Sequence, residues 1–168
     1  LGAMFRAERP QAGRKRQFHQ IGVETLNAHS AINDAELILM VKNFLEWLGL
    51  QKYVVKLNHL GSRKDREQFS QALKRYFSGV QERLCDDCRF RLSQNVLRIF
   101  DCKNESCQPI IAKAPKPELS KEPRSDFEKV VKILKAEHAP VSIESKLVRG
   151  LDYYTGLVFE VTAEGLGA

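Results

Sequence analysis

The feature that most constrains this chain is the alternation in the stretch from Phe5 to Glu24, FRAERPQAGRKRQFHQIGVE. Two runs of period two flank an arginine-rich connection, which reads as two strands and a basic loop. Side chains alternate faces along a strand, so Arg6 and Glu8 point the same way on the first strand. On the second, Gln20, Gly22 and Glu24 share one face, and His19, Ile21 and Val23 share the other. The loop carries Arg9, Arg14, Lys15 and Arg16, with Pro10 and Gly13 as turn punctuation. Paired as a hairpin, the strands present a polar floor of Arg6, Glu8, Gln20 and Glu24, and Gly22 leaves room above the backbone. Charged strand faces are usually solvent decoration. This face alone therefore names no ligand.

The chain has 168 residues, enough for one sizeable domain or a domain with a smaller insertion. With 43% hydrophobic and 29% charged residues it has globular composition. No apolar run approaches membrane-spanning length, and the first ten residues contain no apolar signal-like core. The net charge of +6 is uneven. Residues 1–24 contribute +3 and residues 60–124 contribute +5, which suits contact with a phosphate backbone at two places and equally suits ordinary solubility.

Along the chain, Asn33 and Glu36 predict a capping box opening a helix over about 33–48. Leu37, Val41, Phe44, Leu45 and Leu48 form its apolar stripe, Trp47 packs at the edge, and Gly49 ends it. Tyr53, Val55 and Leu57 alternate as a strand. A second helix follows Gly61, capped by Ser62, with Phe69, Leu73, Tyr76, Phe77, Val80 and Leu84 on its apolar face. The proline-rich run APKPELSKEPR, 114–124, reads as a surface linker within an insertion spanning 60–140. Ser125 and Glu128 predict a further capped helix, ending before Pro140, with Phe127, Val130, Val131 and Leu134 as its stripe. Val141, Ile143, Ser145 and Leu147 alternate inward, and Leu157, Phe159 and Val161 form the buried face of a last strand. Strand pairs with flanking helices indicate an α+β fold, although this pattern alone also allows a parallel α/β sheet.

The second constellation is LVRGLDYYTG, residues 147–156, which places Arg149, Asp152, Tyr153 and Tyr154 between Gly150 and Gly156. Alone it would read as a glycine-flanked hairpin with core aromatics. The FRxE strand, loop and return strand of the opening stretch resemble motif 2 of the class II aminoacyl-tRNA synthetases. The wording RPQAGRKRQFHQIGVE is similar to that of the histidyl-tRNA synthetase family, and LVRGLDYYTG resembles that family's histidine-specific motif. The resemblance implies a mainly antiparallel class II sheet flanked by helices, with core segments 1–59 and 141–168 around a mostly helical insertion at 60–140.

The resemblance also implies chemistry. The family joins histidine to ATP, with Mg2+ accompanying the nucleotide, and passes the activated histidine to its tRNA. Two anions must meet in line at the α-phosphorus, so positive charge and positioning matter more than a general base. Arg6 matches the arginine on the α-phosphate, Glu8 the partner of the adenine amino group, and Arg149 the catalytic arginine. Gln20, Glu24, Tyr153 and Tyr154, together with Arg6 and Arg149, match positions around the histidine substrate. Gln11, Arg14 and Arg16 match loop positions that reach the tRNA acceptor end. Lys15 stands where the family often carries an aromatic. A cytoplasmic homodimer is implied for the full-length protein. Motif 1, motif 3 and the anticodon-binding domain are expected outside this segment, which is therefore expected to be inactive alone.

Two competing readings use the same residues. One is a non-catalytic paralogue, such as the regulatory subunit of ATP phosphoribosyltransferase; the intact Arg6, Glu8 and Arg149 stand against it. The other is a zinc-stabilised RNA-binding module, resting on charge and cysteines. Cys85 and Cys88 form a CxxC, while Cys102 and Cys107 are separated by four residues, wider than a usual zinc knuckle. This spacing fits a structural zinc and also fits four reduced thiols, so no metal ligand is assigned from it. His19, His29, His59 and His138 show no ligand spacing and read as structural or exposed.

Overall fold

The computed structural model describes residues 1–7, 9–10, 14–26, 30–148 and 154–163. The opening stretch is an antiparallel pair, β1 (Gly2–Phe5) with β2 (Gln17–Gln20), in register Gly2 to Gln20 and Phe5 to Gln17. The regular strands are shorter than the alternation predicts. Pairing nevertheless continues one step beyond Phe5, where the Arg6 N–H donates to the Arg16 carbonyl at 2.8 Å.

Helix α1 (Ala31–Trp47) starts two residues before the predicted Asn33 cap. Ser30 is the cap, accepting from the Asn33 N–H, because its extended backbone aims the hydroxyl back at the first turn. Gly49 ends the helix as predicted. At φ +84° it lets its own N–H reach the Glu46 carbonyl and the Leu50 N–H reach the Leu45 carbonyl, both at 2.9 Å. The buried stripe differs from the predicted one. Ala31, Ala35 and Ile38 are buried, while Phe44 is 40%, Leu48 59% and Trp47 79% exposed, with Trp47 stacked on Phe44. Apolar residues occur on every side of α1, so periodicity does not select a face. The small side chains of Ala31 and Ala35 allow close approach to the sheet and to the helix at 121–136, and that settles it.

Strand β3 (Tyr53–His59) is central in a three-stranded sheet. It runs parallel to β4 (Val141–Ile143) and antiparallel to β5 (Leu157–Ala163). With the β1–β2 pair, antiparallel pairing predominates in this α+β fold. α1 and α5 (Lys121–Ala136) cover one face through Val55, Leu57, Val130 and Leu134. Leu157, Phe159 and Val161 pack on that core as predicted, yet Val158 is buried in a second one, so β5 contributes to both. The inward alternation predicted for 141–147 fails at Ile143, which is 57% exposed. β4 is a three-residue edge strand, and the chain turns immediately after it.

The second core lies beneath α2 (Arg63–Ser78), α3 (Asp86–Gln94) and α4 (Gln108–Ala112), with 3-10 segments at Gln81–Arg83 and Val96–Asp101. Phe69, Leu73, Phe77, Ile99 and Ile110 are buried there. Ser62 caps α2 as predicted and forms a reciprocal box with Asp65. α5 begins a turn earlier than predicted. Ser120 precedes it and Pro123 sits in its first turn, where a missing N–H breaks no helical bond. Ser125 is thus inside the helix, and the tail of the predicted linker is helical.

The two helix starts are tied by Asp65. Its Oδ2 accepts from the Ser62 N–H at 2.8 Å, the Ser62 hydroxyl at 2.9 Å and the Ser120 hydroxyl at 2.9 Å. Burial raises the carboxyl's pKa, but these donors outweigh burial and hold it below its ordinary value. Nearby, His59 Nδ1 accepts from the Gly61 N–H at 2.9 Å, so the ring is neutral with its proton on Nε2. Burial lowers the His59 pKa below 6.5 despite the opposing charges of Asp126 and Asp65. Protonation must break the bond to Gly61. The stabilisation is therefore complete above pH 6.5 and is lost as pH falls from there towards the lower folded value. Melting temperature should decline over that window, and His59→Asn, which keeps an acceptor but does not titrate, should flatten the decline; an unchanged slope would contradict this account.

Candidate functional site

Among the described residues, those predicted to bind substrates lie in two places. At the loop end of the hairpin, the Arg6 guanidinium lies over the Phe18 ring, 3.9 Å from its centroid. Strand alternation and the register put Arg6 and Gln20 on one face, as predicted, and Phe18 joins them there. Gln20 faces Gly2, four residues from Arg6 along the strand, so the two ends of this floor are roughly 13 Å apart. That length separates the Arg6 end from the Gln20 end. Gln20, Arg14 and Arg16 are exposed. Glu24 is also exposed and lies beyond the regular strand, where alternation no longer sets its direction. A side chain on Gly22 would meet nothing within 4 Å, consistent with room above the backbone. Glu8, Gln11, Arg149 and Tyr153 lie outside the described residues.

The second place is where residues 147–156 leave and rejoin the sheet. Asn58, 4% exposed at the end of β3, donates from Nδ2 to the carbonyls of Ser145 at 3.2 Å and Leu147 at 2.9 Å. Arg66, in the first turn of α2, donates from Nη1 to the Tyr154 carbonyl at 2.8 Å. Leu60 N–H donates to the Gly156 carbonyl at 2.8 Å, and Gly156 N–H donates to the Gly61 carbonyl at 3.0 Å. Both flanks of the arginine–tyrosine segment are thus anchored to the β3–α2 junction. The Tyr154 side chain is half-buried against the second core. Sequence reasoning missed Asn58 and Arg66. Asn58 carried a signal, since a polar side chain ending an apolar strand needs partners if buried.

A family model described as histidyl-tRNA synthetase matches residues 1–168. The chain is 48% identical over 168 residues to a histidine–tRNA ligase of Aquifex aeolicus, covering 99% of this chain and 42% of the relative. It is 45% identical over 170 residues to that of Halothermothrix orenii, covering 100% and 41%. The chain thus spans about two fifths of the length of the curated relatives it matches. The fold superposes on apo Staphylococcus aureus histidyl-tRNA synthetase with a TM-score of 0.70 at 32% identity, covering 95% of this chain and 37% of that one. It also superposes on a Bacillus halodurans protein described as an ATP phosphoribosyltransferase regulatory subunit/histidyl-tRNA synthetase, with a TM-score of 0.61 over 99% of this chain and 48% of that one; at 21% identity this likeness concerns the fold alone. With a class II-like fold and a family match that runs from end to end, this chain belongs to the histidyl-tRNA synthetase family.

Proposed function

We propose that the chain is a catalytic-core segment of a histidine–tRNA ligase, the part that holds ATP and histidine during adenylate formation. The observation that carries this is the pairing of an intact arginine-bearing hairpin with an anchored LVRGLDYYTG segment. Arg6 binds the α-phosphate of ATP, whose Mg2+ arrives as part of the substrate, and Glu8 takes the adenine amino group. Arg149 offsets the charge that builds as the histidine carboxylate attacks phosphorus. Glu24 and Gln20 hold the substrate histidine with Tyr153 and Tyr154, and polar groups satisfied only by an imidazole reject other side chains. Gln11, Arg14 and Arg16 meet the tRNA acceptor end. The division into core segments 1–59 and 141–168 about an insertion at 60–140, a cytoplasmic location and a homodimer of the full-length protein belong to the same reading.

Arg149→Ala in the full-length protein tests it. Histidine-dependent pyrophosphate exchange should fall by about a thousandfold, the scale of losing one preorganised charge-stabilising group, while histidine binding weakens but remains measurable. A protein with no exchange before or after the change is instead a regulatory paralogue. The segment alone should show no exchange, and histidine-dependent exchange from it would refute the claim that it is incomplete.

A further inference from the structure

The ligase reading leaves the four cysteines without a role. They come from separate places: Cys85 precedes α3, Cys88 lies in its first turn, Cys102 ends the 3-10 helix Val96–Asp101, and Cys107 precedes α4. All four are free thiols, and their sulfur atoms lie within 4.8 Å of one another. Cys85 Sγ and Cys102 Sγ are 3.8 Å apart. That separation is far longer than the disulfide bond of about 2.05 Å. It equals the edge of a tetrahedron of sulfurs around a zinc ion, about 3.8 Å for a Zn–S bond of about 2.3 Å. Cys88, Cys102 and Cys107 are buried and Cys85 is partly exposed.

The backbone around the sulfurs supports ligation. Cys85 N–H points at Cys107 Sγ at 3.3 Å, and Asn104 N–H points at Cys102 Sγ at 3.4 Å. Amide donors directed at sulfur stabilise thiolates and orient them, as the groups surrounding a metal centre do. A cleft beside Cys85 and Cys102, lined also by Asp86, Asp87, Arg91, Asp101 and Lys103, provides an entry path for the ion. The elements being joined have nine, six and five residues, too short to be stable by their own hydrogen bonds. A metal cross-link answers that need.

We infer that Cys85, Cys88, Cys102 and Cys107 form a closed structural zinc site that holds α3, the 3-10 helix and α4 together. Four thiolates in a tetrahedron leave no open coordination position, so the ion's role is architectural. Binding converts the thiols to thiolates and releases their protons to solvent.

Metal analysis of the purified protein should give about one zinc per chain, and less than about a tenth, or iron in its place, overturns the assignment. Stripping the metal with a strong chelator should lower the melting temperature by about 10 °C or more, and added zinc should restore it. An unchanged melting temperature overturns the structural role even where metal is found. Since Cys88→Ser is liable to misfold, alkylation of the unmutated protein gives an independent reading. All four thiols should resist alkylation with zinc bound and react after stripping, and equal reactivity in both states overturns the site.

Discussion

Gly61→Ala is expected to lower the unfolding free energy by about 2–5 kcal/mol. Gly61 has φ +77°, and a Cβ built on it would lie 2.5 Å from Asp65 Cβ. The left-handed backbone alone costs an alanine roughly 1–2 kcal/mol, and relieving the overlap adds about as much again or more. Neither partner can yield cheaply. Asp65 is held by Ser62 and Ser120, and Gly61 is held through both its N–H, to His59, and its carbonyl, from Gly156. Urea denaturation measures the loss. Gly79→Ala is the control: Gly79 has no positive φ and its Cβ would meet nothing closer than 3.5 Å, so its effect should stay within about 1 kcal/mol. A Gly61 variant as stable as the control would show that the junction accommodates a side chain.

Arg66→Ala, in the full-length protein, is expected to reduce the turnover of histidine-dependent pyrophosphate exchange about a hundredfold, the scale of a small misplacement of reacting groups. Arg66 carries no motif and acts at one remove. Its Nη1 fixes the carbonyl of Tyr154, the residue immediately after Tyr153 and five after Arg149. The lost hydrogen bond should cost only about 1 kcal/mol in stability, so activity and stability should separate. Arg66→Lys, still able to donate to that carbonyl, should recover part of the turnover. If Arg66→Ala loses activity only in proportion to folded protein, the positioning role fails.

Much of the site was legible because its motifs are local strings. Arg6, Glu8 and Gln20 could be assigned to one face from strand alternation, and the register of β1 on β2 puts Arg6 and Gln20 on that face. Helix α2 was legible for the same reason: Ser62 and the Phe69–Leu73–Phe77 stripe are linked by contacts within a few residues, although the helix ends at Ser78, before the Val80 and Leu84 that the predicted stripe includes. Helix α1 was misread because hydrophobicity on all sides gives no preferred direction, and two alanines, weak as sequence signals, define the packed face. Pro123 misplaced the start of α5, since proline breaks a helix interior but is harmless in a first turn.

What the sequence by itself determined is the family, the strand–loop–strand that opens the chain, the Ser62 cap and the Gly49 helix stop, and the identity of the candidate substrate residues. These are set by spacing over a few residues, where one side chain's effect on its neighbours is direct. Only the tertiary structure decided which face of α1 is buried, that β3 is the central strand with a parallel neighbour, and that four cysteine sulfurs converge. It alone revealed the tethers from Asn58 and Arg66, which reach partners 87, 89 and 88 residues away. Such contacts form only when the whole chain has closed its loops, and their energy depends on burial and alignment that no local pattern encodes.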